Sequence, residues 1–187
     1  MISENLGLST IYTFEAYTRP DGTDIADWRA MSSDERVEKG QLKWREVVPN
    51  TVVNVGLDDV LDKYFKGSAY TSAHYVGLTD GTPTPAAADT MSSHAGWVEV
   101  TAYDEAVRQT LTLGSVSSQS VSNTASKATF TISTNSTTIG GAFTVTNSTK
   151  GGSTGTLYGV AAFTAGDKSL DDDDTLQVTV TLTAAST

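Results

Sequence analysis

The chain has 187 residues, of which 38% are hydrophobic, and a formal net charge of −10. This length suits one large domain or a domain with an extension, and no apolar run approaches the ~20 residues that a membrane-spanning helix needs, so we expect no membrane partner. The excess of carboxylates argues against nucleic-acid binding, and the lack of cysteine excludes disulfides and fits manufacture in a reducing cytoplasm.

The first 50 residues are predicted to form an N-terminal arm, a pair of strands and a charged insertion. The arm, MISENLGLST, lacks the basic and hydrophobic segments of a secretory signal. Residues 11–17 and 41–48 alternate between apolar and polar side chains as β-strands do, and 51–55 continues the pattern after a break at Pro49. Between the first two strands, DIADWRAM predicts a short helix and SSDERVEKG a loop. We expect the flanking strands to pair in antiparallel fashion.

The arm and the charged insertion, residues 24–39, contain too little periodic apolar sequence to bury themselves. Segments of this kind usually become ordered against a partner. Trp28, Arg29 and Met31 are residue types that protein interfaces favour, so they are candidate contacts to another protein. Local packing of a loop is the alternative explanation for these three residues.

The segment NVGLDDVLDKYFKG predicts one short amphipathic helix near residues 57–66. Asn54 is suited to cap its first turn, and Gly67 is suited to end it. Asp62 and Lys66 form an acid-first pair at i, i+4, which supports a helix. The apolar residues recur at helical spacing and predict a stripe packed on the core, formed by Leu57, Val60, Leu61, Tyr64 and Phe65.

Residues 51–187 are predicted to form an antiparallel β-sandwich that contains this helix. Strands are expected at 73–78 and 96–101, and from Thr110 onward short Thr- and Val-rich strands alternate with Ser/Thr/Gly-rich turns. These later strands are QTLTLGSV, KATFTIST, GGAFTVTN, TLYGVAAFT and TLQVTVTLT. Many strands without helices between them indicate a mainly β fold, either immunoglobulin-like or jelly-roll-like.

No residue pattern in the sequence predicts a catalytic, cofactor-binding or metal-binding site, so we expect no enzyme. The G-x-S-x-G match around Ser153 has a strand on each side, whereas a nucleophile elbow is followed by a helix. His74 and His94 lack the regular spacing of metal ligands. The acidic run at 171–174 lacks the ligand pattern of an EF-hand loop; a solvated turn is expected, and calcium binding stays open.

Several short motifs stand out between residues 40 and 183. They are GQLKW, NTVVNVG, LDKYFKGSAYT and HAGW, followed by a closing GDKSLDDDDTLQVT segment. Together they resemble a family of small structural proteins of tailed bacteriophages. The insertion at 24–39 and the run DDDD depart from the family pattern. The resemblance carries no catalytic residues.

This resemblance implies a structural protein of the virion, made in the cytoplasm of a bacterial host. We expect a homo-oligomeric capsid decoration (cement) protein on the head exterior, whose partners are other virion proteins such as the major capsid protein. A tail or tail-fibre component and a host-glycan-binding β-sandwich are the alternatives. The glycan hypothesis requires exposed aromatic side chains, for which Trp97 and Tyr103 beside Asp104 are the hints.

Overall fold

The computed structural model describes residues 6–69 and 73–186, and strands dominate within them. The first five residues of the predicted arm, and residues 70–72, which include the last two of the LDKYFKGSAYT motif, lie outside the described residues. The strands are β1 (Leu6–Thr18), β2 (Gln41–Val52), β3 (Tyr75–Thr79), β4 (Glu99–Val100), β5 (Gln109–Thr110), β6 (Ser120–Ser122), β7 (Ala128–Thr131), β8 (Thr137–Ile139), β9 (Gly141–Val145), β10 (Leu157–Ala162), β11 (Lys168–Leu170) and β12 (Thr175–Ser186). The prediction of a mainly β fold is confirmed.

Ten of the described strands form one antiparallel sheet in the order β4–β3–β9–β10–β2–β1–β12–β6, with β5 beside β3 and β7 beside β12. β8 and β11 pair separately. β2 joins the two halves of the large sheet, because its first part pairs with β1 and residues 50–52 pair with β10. The sheet folds back on itself, since the Tyr12 hydroxyl in β1 donates to Thr144 Oγ1 in β9 at 3.0 Å although two strands separate them. The result is a sandwich-like arrangement.

The core lies between the two halves of the folded sheet. The rings of Phe14 in β1 and Phe163, just after β10, meet edge to face with centroids 4.7 Å apart. In β12, Leu176, Val178 and Val180 are fully buried. Thr175 and Gln177 are buried as well, so buried and more exposed side chains alternate only from Val178 onward, where Thr179 is half-buried.

Two short helices connect β1 to β2. The side chain of Asp24 accepts hydrogen bonds from the first backbone amides of α1 (Ile25–Ala30), at the position where the sequence predicts a helix. The predicted loop after α1 is wrong, because α2 (Ser33–Lys39) forms there. Ser32 and Glu35 cap each other's backbone amides in a capping box, a signal that the motif S-x-x-E already contains.

The predicted domain boundary at residue 50 falls inside β2, so residues 1–50 and 51–187 are not separate units. The predicted antiparallel pairing of β1 with β2 is confirmed, but β1 also pairs with β12 and lies near the centre of the sheet. Tyr12, Phe14 and Val48 are fully buried in the shared core. Alternation along a strand predicts its buried face but not its neighbours, which is why the sequence suggested a peripheral arm.

The predicted helix forms as α3 (Asn54–Val60), which continues into a π-helical turn, Leu61–Phe65. The expected cap at Asn54 is wrong, because Val53 occupies the N-cap position. The Asp62–Lys66 ion pair forms at 2.9 Å, and Gly67 follows with a φ of +75°. Glycine adopts this left-handed conformation without a steric penalty, so it ends the helix as predicted.

The predicted core stripe is wrong, because four of its five residues are exposed to solvent and Val60 is only half-buried. Leu57 is 38% exposed, Leu61 56%, Phe65 66% and Tyr64 80%. We call these four side chains the helical face. Amphipathic spacing predicts that an apolar stripe exists, but most of this stripe remains in contact with solvent.

The first turn of α3 lies close against the sheet. Val53 and Gly56 are buried, and a Cβ atom on Gly56 would lie 2.9 Å from the Cα of Tyr158 in β10. Glycine therefore permits a backbone approach that any larger residue would prevent. Farther along the helical segment Leu61, Tyr64 and Phe65 remain exposed. In the described parts of the chain, no helix is both long and apolar enough to cross a bilayer.

Candidate functional site: an apolar groove

An apolar groove of about 470 Å³ opens between the two halves of the sheet, beside α3. Its aliphatic walls are formed by Leu8, Val52, Leu57, Val60, Leu111, Leu113, Val116, Val121, Val180 and Leu182. Val116 is 73% exposed at the rim. Among the described residues that line the groove there is no lysine, arginine, aspartate or glutamate. An uncharged, exposed apolar surface on an acidic protein is typical of an interaction site.

The groove arises because the facing strands differ in length. β1 and β12 have 13 and 12 residues and pair along nearly their whole length, whereas β9 and β10 have five and six. Tyr12 of β1 faces Thr144 of β9, and Leu8 lies four residues earlier on the same face of the strand. Leu8 and Leu182 therefore extend past the opposing strands, and neither is fully buried.

The polar groups of the groove are arranged to stay uncharged. The rings of His74 and Tyr158 meet edge to face with centroids 4.8 Å apart. Burial lowers the pKa of His74, and the carboxylate of Asp59 opposes this effect only in part. The Tyr158 hydroxyl donates a hydrogen bond to Asp59. A neutral imidazole keeps the groove suitable for apolar side chains.

Two of the three predicted contact residues in the charged insertion are used within the chain. Trp28 is 1% exposed, and its indole N–H donates to the carbonyl oxygen of Asp173 at 3.1 Å. Arg29 lies 2.8 Å from Asp172 and 2.6 Å from Asp173. Burial contradicts the prediction that Trp28 contacts another protein, whereas the Arg29 side chain is 55% exposed and its contact role stays a prediction. Met31 is half-buried, and its contact role stays a prediction.

The acidic run at 171–174 is paired with cationic side chains. Lys43 Nζ lies 3.2 Å from Asp171 and 2.8 Å from Asp174. Arg29 forms ion pairs with the two intervening residues, Asp172 and Asp173. A backbone hydrogen bond from Ser136, followed by the contact with Lys43, holds the pKa of Asp171 below its usual value. The run is therefore the turn onto which the helical insertion and β2 dock. Within residues 6–69 and 73–186, no group of three or more potential metal-ligating side chains is placed to hold a metal ion.

The residues singled out for possible hydrolase or metal chemistry lie in ordinary structural settings. Ser153 is exposed in the loop between β9 and β10, so a strand follows it rather than a helix. His94 stacks on Trp97 with ring centroids 3.7 Å apart, and its Nδ1 lies 3.0 Å from the Trp97 carbonyl oxygen. His74 packs on Tyr158 in the groove.

The aromatic residues that suggested glycan binding are buried. Trp97 is 5% exposed and donates its indole N–H to Asp89 at 3.2 Å. Tyr103 is 2% exposed, and Lys150 Nζ lies 4.2 Å from the centroid of its ring. Neither ring is available to stack on a sugar, so the structure contradicts these hints.

Sequence reasoning missed a buried ion pair that holds the β9–β10 loop. Arg108 is fully buried and donates to both carboxylate oxygens of Glu99, at 2.9 and 2.7 Å. It also donates to the carbonyl oxygens of Asn147 and Gly152. Glu99 lies in the predicted strand at 96–101 and Arg108 lies nine residues later, and no local pattern in the sequence marks their pairing.

No family model, curated protein or solved structure matches this chain. Its function is therefore inferred from its own residues, motifs and surfaces. The chain is an acidic, β-rich protein whose most distinctive surface feature is the apolar groove.

Proposed function

We propose that this chain is a non-enzymatic structural protein of a tailed-bacteriophage virion, and that it is a capsid decoration protein on the head exterior. The motif resemblance over residues 40–183 supports membership of the virion. The apolar groove is the observation that carries the adhesive role, because it offers a place to bury apolar side chains of another virion subunit. The partner is an uncharged apolar segment of the capsid surface.

Charge favours the groove as the point of attachment. The chain has a net charge of −10, so most of its surface repels an acidic partner. The described residues that line the groove include no aspartate or glutamate, so the groove itself does not add to this repulsion. A groove of about 470 Å³ accommodates only a few side chains, so each copy makes a modest contact. Many copies on one particle then provide retention through repeated weak contacts.

The proposed attachment surface differs from the one expected from the sequence alone, which was the N-terminal arm and the insertion at residues 24–39. Leu8 of β1 lines the groove, so the N-terminal strand contributes as part of the sandwich. Deleting residues 1–39 would remove β1 from between β2 and β12, and the protein would not fold. Point substitutions at the rim of the groove are the appropriate test.

The test compares Val116→Asp with Val98→Asp. Both valines are exposed, at 73% and 62%, but only Val116 lines the groove. Each purified variant is added to phage heads, and separately to tails, that lack the protein, and the bound copies are quantified after sedimentation. We expect saturable, high-copy binding of wild type and Val98→Asp to heads, with binding of Val116→Asp reduced at least about tenfold by desolvation of the new carboxylate.

The outcomes separate the candidate functions. High-copy binding to heads that depends on Val116 supports a decoration protein attached through the groove. Low-copy binding to tails supports the tail or tail-fibre alternative. If wild-type protein binds neither structure, the virion proposal is wrong. Equal binding of both variants to heads would retain the decoration role but overturn the groove as its surface.

A further inference from the structure

His74 forms part of the groove wall, immediately before β3. Its backbone carbonyl oxygen accepts a hydrogen bond from the amide of Leu111 at 2.8 Å, and its ring contacts the ring of Tyr158. Both of these neighbours also line the groove. Among the described lining residues, His74 is the one whose side chain changes charge near neutral pH. The charge of this lining is therefore set by a single imidazole.

The surroundings of His74 offer little stabilisation to a positive charge. An imidazolium has two N–H donors, yet among the described residues neither ring nitrogen of His74 forms a hydrogen bond. The residue is half-buried, and this burial lowers its pKa. The carboxylate of Asp59 opposes the effect, but it also accepts a hydrogen bond from the Tyr158 hydroxyl. The neutral imidazole is therefore the favoured form.

The elements packed around His74 contribute few other titratable groups. α3 supplies Asp59, and β10 supplies Tyr158. The described groove residues of β1, β2, β9 and β12, and those within 111–121, are apolar or carry only hydroxyl and amide groups. Glu105, whose pKa is raised by burial, lies outside the described lining. A change of charge in the groove between pH ~8 and ~5 therefore comes from His74.

Occupation of the groove and protonation of His74 oppose each other. An apolar side chain in the groove displaces water from the exposed part of the imidazole, and it offers no acceptor to the N–H groups of the charged form. Because the two equilibria are linked, protonation weakens binding by the same factor by which binding disfavours protonation.

We propose that protonation of His74 releases the apolar partner from the groove, so that attachment through the groove depends on pH. This inference rests on the proposed function, because the occupant is the uncharged apolar segment of the capsid surface. Binding is at full strength above pH ~6.5, where the imidazole is neutral. Below the pKa of His74 in the free chain, affinity falls by up to about tenfold per pH unit, which is the limit for one linked proton.

The first test measures the groove without phage particles. The uncharged dye N-phenyl-1-naphthylamine, whose fluorescence rises in apolar sites, is titrated into the full chain at pH values from ~8 to ~5, and circular dichroism at each pH confirms the fold. The dissociation constant of wild type should rise at least about threefold across this range. His74→Gln keeps a polar side chain that does not ionise, so its dissociation constant should show no such rise.

Matched controls locate the effect. His94 is the second of two histidines in the chain and stacks on Trp97 outside the described lining, so His94→Gln should keep the pH dependence of wild type. Val116→Asp should weaken dye binding at pH ~8 by at least about tenfold, because it places a carboxylate at the rim of the groove. Val98→Asp should not, since Val98 is exposed but does not line the groove.

The second test applies the same change of pH to loaded particles. Wild type and His74→Gln are bound to phage heads at pH ~8, and the pH is lowered to ~5 before sedimentation. Wild type should be released, whereas His74→Gln should stay on the heads. Retention of wild type at the lower pH would overturn the proposal.

The dye results can also overturn it. Dye affinity of wild type that does not change with pH, equal pH dependence of wild type and His74→Gln, or dye binding that is insensitive to Val116→Asp would each exclude the switch. Dye binding that depends on His74 would support the switch even if wild type binds neither heads nor tails. That combination would refute the virion function alone, so the two failures are distinguishable.

Discussion

Replacing Arg108 by leucine should lower the free energy of unfolding by about 3–5 kcal/mol, the usual cost of removing one partner from a buried ion pair. The Arg108 side chain is 0% exposed and that of Glu99 is 8% exposed, so water cannot replace the lost guanidinium. The substitution removes two hydrogen bonds to Glu99 and one each to the carbonyl oxygens of Asn147 and Gly152. Of its hydrogen bonds to the described residues, Glu99 then keeps only the one from the backbone amide of Gly151, at 3.0 Å.

The size of this effect comes from the cost of keeping the Glu99 carboxylate buried without a cation, rather than from the attraction between Arg108 and Glu99. A buried carboxylate without a cation costs several kcal/mol, whereas leucine at both positions removes the charge together with its partner. The double variant Arg108→Leu/Glu99→Leu should therefore lose less stability than the sum of the two single variants, with a coupling energy of about 2–3 kcal/mol.

Urea unfolding followed by tryptophan fluorescence measures all four proteins of this cycle, provided that each unfolds in one cooperative transition. Trp97 lies two residues before Glu99, so its emission reports on this region. A loss below ~1 kcal/mol for Arg108→Leu, or strictly additive effects in the double variant, would show that the pair contributes little to holding the β9–β10 loop.

Three further predictions concern the helix, the groove and the insertion. Leu61→Ala should cost less than ~1 kcal/mol because Leu61 is 56% exposed, whereas the fully buried Leu78→Ala should cost about 2–5 kcal/mol; equal losses in urea unfolding would contradict the exposed helical face. Burial lowers the pKa of His74, so the unfolded chain binds a proton first as pH falls below ~6.5, and stability should fall with pH by up to about 1.4 kcal/mol per unit; His74→Phe should flatten this slope below pH ~6.5, and an unchanged slope would refute the assignment. Trp28→Ala should cost about 3–5 kcal/mol and half-buried Met31→Ala less than ~1 kcal/mol; a small loss at Trp28 in thermal unfolding would mean that α1 does not depend on the tryptophan.

Local features of this chain were predictable from short stretches of sequence. Asp24 begins α1 and Gly67 ends the helical segment because both effects depend on residues within one turn. The buried row of Leu176, Val178 and Val180 follows from alternation along a single strand. The capping box of α2 belongs to the same class, and the S-x-x-E signal at Ser32 was sufficient to find it.

The groove and the buried pair were not predictable, because they depend on residues distant in the chain. Leu8 and Val116 line one groove, and Glu99 contacts the loop that contains Gly152. No local pattern encodes that β1 and β12 extend past β9 and β10. Tryptophan is a residue type that interfaces favour, yet Trp28 is buried within the chain. Its indole N–H donates to the carbonyl oxygen of Asp173, far away in the sequence.

The sequence by itself determined the mainly β class, the approximate positions of most of the longer strands and of two helices, and which residues could form an apolar face. These properties arise from backbone sterics, capping and periodicity, which act over a few residues. Only the tertiary structure decided where each face points. Gly56 allows the first turn of α3 to approach the backbone of Tyr158, about a hundred positions later, whereas Leu61, Tyr64 and Phe65 stay exposed to solvent. Contacts between residues so far apart, which no local pattern encodes, decided that most of the predicted core stripe is an exposed surface.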